Sequence, residues 1–347
     1  MVMKFVKVRG PNNRPDCNGR GCVPYEYEIA KCAISNADWC EFLNAIGEKA
    51  VAFGLWHKDM ETGVLGGIVC SMTSGKDSPR IAPPSELASL GGYASPLRFA
   101  AKAGWEKKPV TYVTYTGVMR YCNWLMTGDT EKGAYDLTVT PPRRLKGAKY
   151  FLPTDDEWYK AAYWDSQAKR YWKYPTRSNE IPSQEQANFE RDDHFSQLAL
   201  TPQSSQTSKP PNLQTSKLPN LQTSKPPNLQ TSYYYLADVD AYADSPSPCG
   251  ALQMGGNVWE FIEDCFDNPL GNKLRGGSFG YTETGLSAAN VDFGKYDKRC
   301  YVFGARICRM KDGWRPMPKP LKCVIIQQIR NVIARCKSCV IRLLSCG

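Results

Sequence analysis

Histidine is nearly absent from this chain, which has only His57 and His194 among its 347 residues. His57 lies in a loop-like region and His194 beside a low-complexity segment, so they do not supply the imidazoles of a three-histidine metal site. Three familiar motifs are also missing: the GxSxG nucleophile elbow, the P-loop and the HExxH zinc motif. The sequence therefore gives no support to the hydrolase, nucleotide-binding and zinc-protease classes that these motifs mark.

The sequence also lacks a long uninterrupted apolar run. Its start, MVMKFVKVRGPNNRP, contains no apolar stretch long enough for a signal peptide. The apolar segment near the end is broken too often for a membrane span. The residues that interrupt it are Arg330, Arg335, Lys337 and Arg342. The expected location is the cytoplasm, while display on a cell or virion surface stays open.

Acidic residues are missing from Gly313 to Gly347, where seven Lys and Arg side chains lie. Removing these seven charges from the net charge of +10 leaves +3 for the rest of the chain. A nearly balanced body argues against nucleic-acid binding by that part. The tail, 311–347, has the apolar spacing of a basic amphipathic helix. Such a helix suits a partner groove, an anionic membrane surface or docking on the body.

Fourteen cysteines resemble a disulfide framework, but a chain of this size does not need one to fold. Most lie in apolar contexts, such as Cys40, Cys122 and Cys308, where a thiol packs as a small hydrophobic group. Reduced thiols are therefore expected. The exception is a pair, Cys17 and Cys22, that flanks NGRG and is close enough in sequence to close a small loop.

Periodicity predicts strands at 2–8 and 25–29 and two amphipathic helices. The first helix follows Ser35-Asn36 as its N-cap, and the second lies in PVTYVTYTGVMRYCNWLM. The inward-facing residues are Trp39, Phe42, Leu43 and Ile46 in the first helix, and Val118, Tyr121, Cys122 and Leu125 in the second. The region 51–108, rich in Gly, Ser and Pro, is interpreted as a long surface excursion.

A third helix begins at Thr154, and Glu157 completes a capping box three residues later. Asp155 and Asp156 fall in the first turn, where the helix dipole favours acids. This pair is therefore interpreted as capping charge and not as an acid–base pair. A second acidic pair, at 192–193, is interpreted as solvated loop charge.

Residues 208–231 are three near-identical octapeptides, SKPPNLQT, SKLPNLQT and SKPPNLQT. They are polar and rich in proline, with too little apolar surface to fold, so 201–232 is predicted to be a disordered insert. Eight residues are also too few for a solenoid repeat. Ordinary globular composition returns after the insert, which therefore interrupts a domain without ending it.

The stretch from Gly255 to Arg309 is the most informative part of the chain. It contains a glycine-rich turn, GGNVWEF, then LRGGSF, and finally GARICR. The residues between LRGGSF and GARICR follow neither helical nor strand periodicity. Fixed ends around an irregular, chemically mixed middle indicate a scaffold that presents a surface.

Six segments together resemble the formylglycine-generating enzyme (sulfatase-modifying factor) family. They are YEIAKCAISNADWCEFLNA, PVTYVTYTGVMRYCNWL, FLPTDDEWYKAAYWD, SPSPCGALQMGGNVWEF, LRGGSF and GARICR, in family order. The resemblance implies an α+β, C-type-lectin-like fold of the formylglycine-generating-enzyme type, loop-rich with little regular secondary structure. It implies one domain over 1–310, carrying the 201–232 insert and followed by the tail.

Enzymes of this family oxidise a substrate cysteine with copper and oxygen, using two cysteines after the GGS strand. The matching positions here are Tyr281 and Leu286. Because Cu(I) prefers thiolate ligands, a phenol and an aliphatic chain do not replace them, and copper is not expected. The competing hypothesis is an oxidase of this type whose active thiols are lost or have moved to Cys300 or Cys308.

The family also carries a calcium ion at the GNVWE turn. The resemblance implies ligands from the side chains of Gln253 and Glu260 and the backbone carbonyls of Gly256 and Val258. Oxygen ligands on a glycine-bearing turn suit Ca²⁺, which makes a structural calcium ion the expected cofactor. The alternative is a metal-free turn braced by Asn257.

The segment also resembles the variable proteins of diversity-generating retroelements, which share this fold. In them the residues between GGSW and GFR are diversified while the scaffold stays constant. The resemblance implies a non-catalytic ligand-binding protein whose segment 279–303 contacts a protein or a glycan. The alternative is an ordinary irregular loop. The implied contact residues are Gly280, Tyr281, Thr282, Thr284, Asp292, Phe293, Lys295, Tyr296, Lys298, Tyr301 and Val302.

Overall fold

The computed structural model describes residues 3–72, 80–81, 97–190, 236–263, 271–294 and 298–315. The predicted insert at 201–232, the tail beyond residue 315, His194 and the acidic pair at 192–193 lie outside the described residues. Helices and short strands are joined by long irregular connections, as expected for a loop-rich α+β chain.

The helices are short and most of them precede the segment 236–315. They are α1 (Asn36–Ile46), α2 (Lys49–Ala52), α3 (Asp59–Thr62), α4 (Tyr115–Thr127), α5 (Asp155–Tyr163) and α6 (Glu283–Leu286).

The strands have two to five residues each. They are β1 (Phe5–Val8), β2 (Tyr27–Ala30), β3 (Ile68–Met72), β4 (Arg80–Ile81), β5 (Leu97–Ala101), β6 (Tyr135–Asp136), β7 (Arg143–Arg144), β8 (Tyr150–Phe151), β9 (Trp164–Asp165), β10 (Arg170–Tyr171), β11 (Trp259–Phe261), β12 (Asn272–Arg275), β13 (Asp292–Gly294), β14 (Phe303–Gly304) and β15 (Cys308–Arg309).

Two four-stranded sheets join distant parts of the chain. One has the order β1-β2-β15-β8, and the other has the order β13-β12-β11-β14. In the first sheet Cys308 pairs with both Ile29 and Phe151, so GARICR closes onto the first strands of the chain. Three smaller groups, β4-β3-β5, β6-β7 and β9-β10, complete the strand pairing of the described residues.

The predicted helix starts are confirmed. Ser35 caps α1 in a capping box with Asp38, and Thr154 caps α5 in a capping box with Glu157. Each box satisfies backbone N–H groups that the first helical turn leaves unpaired.

The main core lies where α1 packs beside α4. Trp39 and Phe42 of α1 contact Tyr121 of α4, with ring centroids 5.2–5.4 Å apart. These three side chains are buried, as their spacing predicts, whereas Ile46 and Leu125 are only partly buried. Aromatic pairs at such distances add about 0.5–1.5 kcal/mol beyond the burial of their surface.

The interpretation of 51–108 as a surface excursion is wrong for much of that region. Leu55, Trp56 and Met60 are buried, and β3 and β5 pair along five residues. Ile68 and Phe99, one from each of these strands, enter the main core. The strands are too short to show clear alternation among many turn residues, which is why composition alone misleads here.

The proposed Cys17–Cys22 pairing is also wrong. Cys22 is disulfide-bonded, but Cys17 is a free and exposed thiol. The expectation of reduced thiols holds for the free cysteines Cys40, Cys122 and Cys308, which are buried. Burial raises the pKa of the Cys40 thiol to about 12, so this group stays protonated and inert near neutral pH.

Candidate functional site

The sheet β13-β12-β11-β14 frames the segment 279–303. Strand β12 ends at Arg275 and runs directly into the GGSF turn, while β14 pairs in parallel with β11 through Trp259 and Phe303. The residues between β12 and β14 return to the sheet once, as β13. Both ends of the segment are therefore anchored, and α6 and the loops between them carry the exposed side chains.

A buried ion pair holds β11 to the strand region of GARICR. Arg306 Nε donates to both carboxylate oxygens of Glu260, at 2.8 and 2.7 Å. Trp158 Nε1 donates to the same carboxylate at 2.7 Å. Glu260 is 2% exposed and Arg306 is fully buried, so neither charge has access to water. Burial lowers the pKa of Arg306, but Glu260 outweighs it and keeps the guanidinium charged.

The Glu260–Arg306 ion pair bears directly on whether the predicted ligands could bind a calcium ion. The Arg306 guanidinium also donates to the backbone carbonyls of Ala30, Leu252 and Gln253. A cation therefore already neutralises the Glu260 carboxylate that a calcium ion would need. The arginine therefore competes with Ca²⁺ for the predicted ligand set of Gln253, Gly256, Val258 and Glu260, although Gln253 Oε1 is buried without a partner among the described residues.

The turn itself is braced by Asn257. Its side-chain oxygen accepts hydrogen bonds from Asn188 Nδ2 at 3.2 Å and from the Ala237 amide at 3.0 Å. Its own amide group donates to the Ala237 carbonyl at 3.1 Å. Asn257 thus ties together the described chain on either side of residues 191–235.

Gly256 permits the close approach that this bracing needs. Its φ is +83°, and a Cβ at this position would lie 2.2 Å from the Asn188 carbonyl oxygen. Such a distance is far inside van der Waals contact, so only glycine fits without moving the backbone.

Tyr281 occupies the first of the two positions where the family's chemistry needs a thiol. Its ring lies edge-on to the Trp259 ring, with centroids 5.1 Å apart and an interplanar angle of 87°. Trp259 is buried, whereas Tyr281 is 39% exposed. The backbone is held on both sides, because Tyr281 N donates to Ser278 O and Glu190 N donates to Tyr281 O. An exposed aromatic ring is therefore presented on a fixed backbone.

Three further side chains lie around the Tyr281 phenol. Burial, together with the nearby Asp292, Cys300 and Tyr301, raises the pKa of Tyr281 to about 12. The phenol is neutral at physiological pH and serves as a hydrogen-bond donor and acceptor, not as an anionic ligand. We call Tyr281, Asp292, Cys300 and Tyr301 the Tyr281 surface.

Leu286 occupies the second thiol position and does not fit copper. It is fully buried and packs with Tyr174, Ala187 and Phe189. An aliphatic side chain has no donor atom, and the Tyr281 phenol is not a soft ligand. The two positions therefore form part of an aromatic and aliphatic wall.

The relocated-thiol hypothesis has two candidate cysteines, and the structure separates them. Cys308 is fully buried in β15, where burial raises its pKa well above the ordinary thiol value. Cys300 is partly buried and close enough to Tyr281 to raise the pKa of that phenol, and burial raises the pKa of the Cys300 thiol as well. Only Cys300 is placed where a ligand could reach it.

The other predicted contact residues differ in exposure and in the direction of their side chains. Thr282 and Thr284 lie at α6, with their hydroxyl oxygens 2.8 Å apart, and Thr284 is exposed. Phe293 pairs with Lys273, and since successive strand side chains alternate, it faces away from Asp292. The remaining described ones are Gly280, which has open space beyond its Cα, the exposed Lys298 and the partly buried Val302. Lys295 and Tyr296 lie outside the described residues.

Trp105 is a neighbour of this surface that the sequence interpretation missed. It is partly buried and packs on a small cluster that includes Leu65 and Phe279, beside Tyr301 and Val302. It falls in the region assigned to the surface excursion, where a lone tryptophan between Gly104 and a charged run carries no periodic signal. The aromatic character of the residue was the one available hint.

The described residues contain neither a clustered metal-ligand set nor a membrane-spanning helix. No group of three or more His, Cys, Asp or Glu side chains there is arranged to hold a metal ion. Within the same residues, every helix is too short or too polar to cross a bilayer. His57 is partly exposed and accepts a hydrogen bond from the Asp59 amide, as an ordinary turn residue does.

Comparisons with known proteins identify the family. The sequence matches the family model of the sulfatase-modifying factor enzyme 1-like domain over residues 22–311. A search of curated proteins finds no match.

Three solved structures are similar at low identity. CarF is 16% identical, with 88% of this chain and 98% of CarF covered and a TM-score of 0.47. Treponema denticola variable protein 1 is 14% identical, with 88% and 95% covered and a TM-score of 0.45. PvdO from Pseudomonas aeruginosa is 13% identical, with 89% and 92% covered and a TM-score of 0.43. Likenesses this loose assign no activity. The match to the family model covers most of the sequence, and the chain belongs to the sulfatase-modifying factor enzyme 1-like domain family.

Proposed function

We propose that this protein is a non-catalytic binding protein that recognises a protein or glycan ligand through the Tyr281 surface. The observation that carries the proposal is the exposed Tyr281 ring on buried Trp259, at a position where the family's oxidases need a thiol. The second thiol position is the buried Leu286. The strands and the turn that surround the site are present. The two expected thiols are replaced by side chains that suit contact with a ligand.

The chemistry of the surface supports recognition. Tyrosine offers a large apolar face and a hydroxyl group while losing little conformational entropy on binding. Tyr301 adds a second aromatic ring and Asp292 adds a hydrogen-bond acceptor. Trp105 borders the Tyr281 surface. Both proteins and glycans are bound by such mixtures of aromatic faces and polar groups.

The rigidity of the strands and the turn that hold the Tyr281 surface also supports ligand binding. The Glu260–Arg306 pair holds β11 to the connection between β14 and β15, and Asn257 ties neighbouring loops to the turn. Because the contact groups are held before a ligand arrives, less entropy is lost on binding.

We also propose that retroelement-type diversification acts on segment 279–303. The support is that Thr284 and Lys298 are exposed and that Gly280 has open space beyond its Cα, so a change at these positions need not disturb the strands that frame the segment. The neighbouring DNA tests this proposal. A near-copy of the codons for 275–309 beside a reverse-transcriptase gene would support it. The lack of such a copy in the neighbouring DNA would remove it and leave ligand binding standing.

The binding proposal is tested with the full chain on arrays of glycans and of purified proteins. We expect Tyr281→Ala and Tyr301→Ala to weaken any specific signal at least about tenfold, the loss of roughly one aromatic anchor. Ile181→Ala removes an even more exposed apolar side chain elsewhere and should leave the signal unchanged. Binding that survives both tyrosine substitutions would contradict the assignment of this surface.

The alternative function is an oxidase with a relocated thiol. One observation favours keeping it: Cys300 is a free, partly buried thiol close enough to Tyr281 to affect the pKa of that phenol. Cu(I) binding that depends on Cys300 would support this alternative.

A further inference from the structure

A second concave site lies apart from the Tyr281 surface, between the loop 10–14 and the turn that joins β9 to β10. The cavity has a volume of about 460 Å³, within the range of small-ligand pockets. Gly10, Asn12 and Arg14 line one side, and Trp164 and Lys169 line the other.

The walls of this pocket are fixed by hydrogen bonds. Arg14 Nη2 donates to the Lys169 carbonyl at 2.8 Å and joins the two sides. The neighbouring Asn13 is buried, and its side chain donates to Gly21 O at 2.7 Å and to the Tyr171 hydroxyl at 2.6 Å. The Trp164 ring packs on Tyr171, with centroids 4.9 Å apart. The pocket therefore exists before any ligand binds.

One buried donor in the pocket wall lacks an acceptor. Trp164 is only 6% exposed, and within the described part of the chain its Nε1 has no hydrogen-bond partner. This nitrogen lies next to Gly10, 3.5 Å from the position that a Cβ on that residue would take. An unsatisfied buried N–H is unfavourable, so an acceptor supplied by a ligand would be favoured here.

Two cationic side chains lie at the rim of the pocket. Arg14 and Lys169 are exposed at its rim, and among the described residues neither pairs with a carboxylate. Lys160 lies behind the wall and donates to the Gly10 carbonyl at 2.8 Å. Asp165 in the same turn carries a negative charge, and its Oδ1 accepts hydrogen bonds from the amides of residues 167 and 168.

We propose that this pocket binds the oxyanion of a small ligand, such as a carboxylate, sulfate or phosphate group. Trp164 Nε1 donates a hydrogen bond to an oxyanion oxygen, and Arg14 and Lys169 supply the opposite charge. Charge-assisted hydrogen bonds of this kind are about twice as strong as neutral ones.

The test uses the full chain labelled with ¹⁵N at the tryptophan indoles, titrated separately with sulfate, phosphate and acetate at constant ionic strength. The Trp164→Phe variant assigns the Trp164 signal. We expect that signal to shift saturably with at least one of the three anions, with a Kd of about 10 mM or tighter. The anion that binds best distinguishes a sulfate or phosphate ligand from a carboxylate ligand.

A double variant tests the charges without touching the core. Arg14→Gln with Lys169→Asn should weaken binding at least about tenfold, equivalent to the loss of roughly 1.4 kcal/mol. Asparagine suits position 169, where φ is +54°. Lys311→Gln, a change to an exposed cation outside the pocket, should have no effect. The proposal is overturned if the Trp164 signal does not shift up to about 50 mM anion, or if the double variant binds as the wild type does.

Discussion

Replacing Glu260 by glutamine tests the buried ion pair that supports the candidate site. The substitution keeps the shape of the side chain and removes its charge. Arg306 then stays fully buried beside a neutral amide, with Trp158 Nε1 competing for the one remaining side-chain oxygen. At least one of these donors loses its acceptor.

The expected cost follows from the burial of both partners. Breaking a buried ion pair by removing one charge costs about 3–5 kcal/mol, because the other charge is left uncompensated. Arg306 keeps its bonds to the carbonyls of Ala30 and Leu252, which favours the lower part of that range. A domain is stable by only about 5–15 kcal/mol, so this single change should lower the stability severely.

Urea unfolding at pH 7, followed by tryptophan fluorescence, measures the effect. With a slope of roughly 3 kcal/mol per M, the midpoint of Glu260→Gln should fall by about 1 M or more. The control is Glu131→Gln, which breaks the more exposed pair with Arg120 and should cost less than about 1 kcal/mol. The double variant that combines Glu260→Gln with Arg306→Met should cost less than the sum of the single changes.

The reasoning is refuted if Glu260→Gln costs less than about 1 kcal/mol, or if its effect equals that of the control. The same titrations with Ca²⁺ and with a chelator test the calcium interpretation. Since Arg306 supplies the cation at this turn, the wild-type midpoint should not change. A calcium-dependent rise would show that the predicted ligands do bind the ion.

Two further predictions concern stability. Burial favours a higher pKa for the Asp155 carboxyl, but Arg275 and Lys273, 2.5 and 2.6 Å away, outweigh burial and hold this pKa at about 2. Because the folded pKa is below the unfolded value of about 3.9, this carboxylate should contribute about 2 kcal/mol above pH 5, lost as the pH falls through 2. Asp155→Asn should flatten the stability profile in that window, and an unchanged profile would contradict the assignment. Gly256→Ala should cost at least about 2 kcal/mol in urea unfolding, since φ is +83° and the added Cβ meets Asn188 O. A cost below about 1 kcal/mol would show that the turn can relax.

Local signals allowed much of the fold to be predicted. The N-cap of α1, the capping box of α5 and the inward faces of α1 and α4 depend on residues a few positions apart, so the sequence reveals them directly. The family resemblance located the ends of the candidate segment, because its motifs are short and contiguous.

Long-range partners could not be predicted. Asp155 was assigned to helix capping, yet its carboxylate pairs with Arg275, 120 residues away in the sequence. The link between Asn257 and Ala237, and the packing of Trp105 beside Tyr301, likewise depend on the tertiary fold. A carboxylate or an aromatic ring has the same appearance in the sequence whatever it contacts.

The most direct test of the central claim is a Cu(I) competition titration of the full chain and of Cys300→Ser. Other thiols, such as the exposed Cys17, contribute equally to both proteins and cancel in the difference. A recognition surface without copper chemistry predicts the same stoichiometry and affinity for both. One tight equivalent of Cu(I) that disappears in Cys300→Ser would contradict the account and restore the oxidase hypothesis.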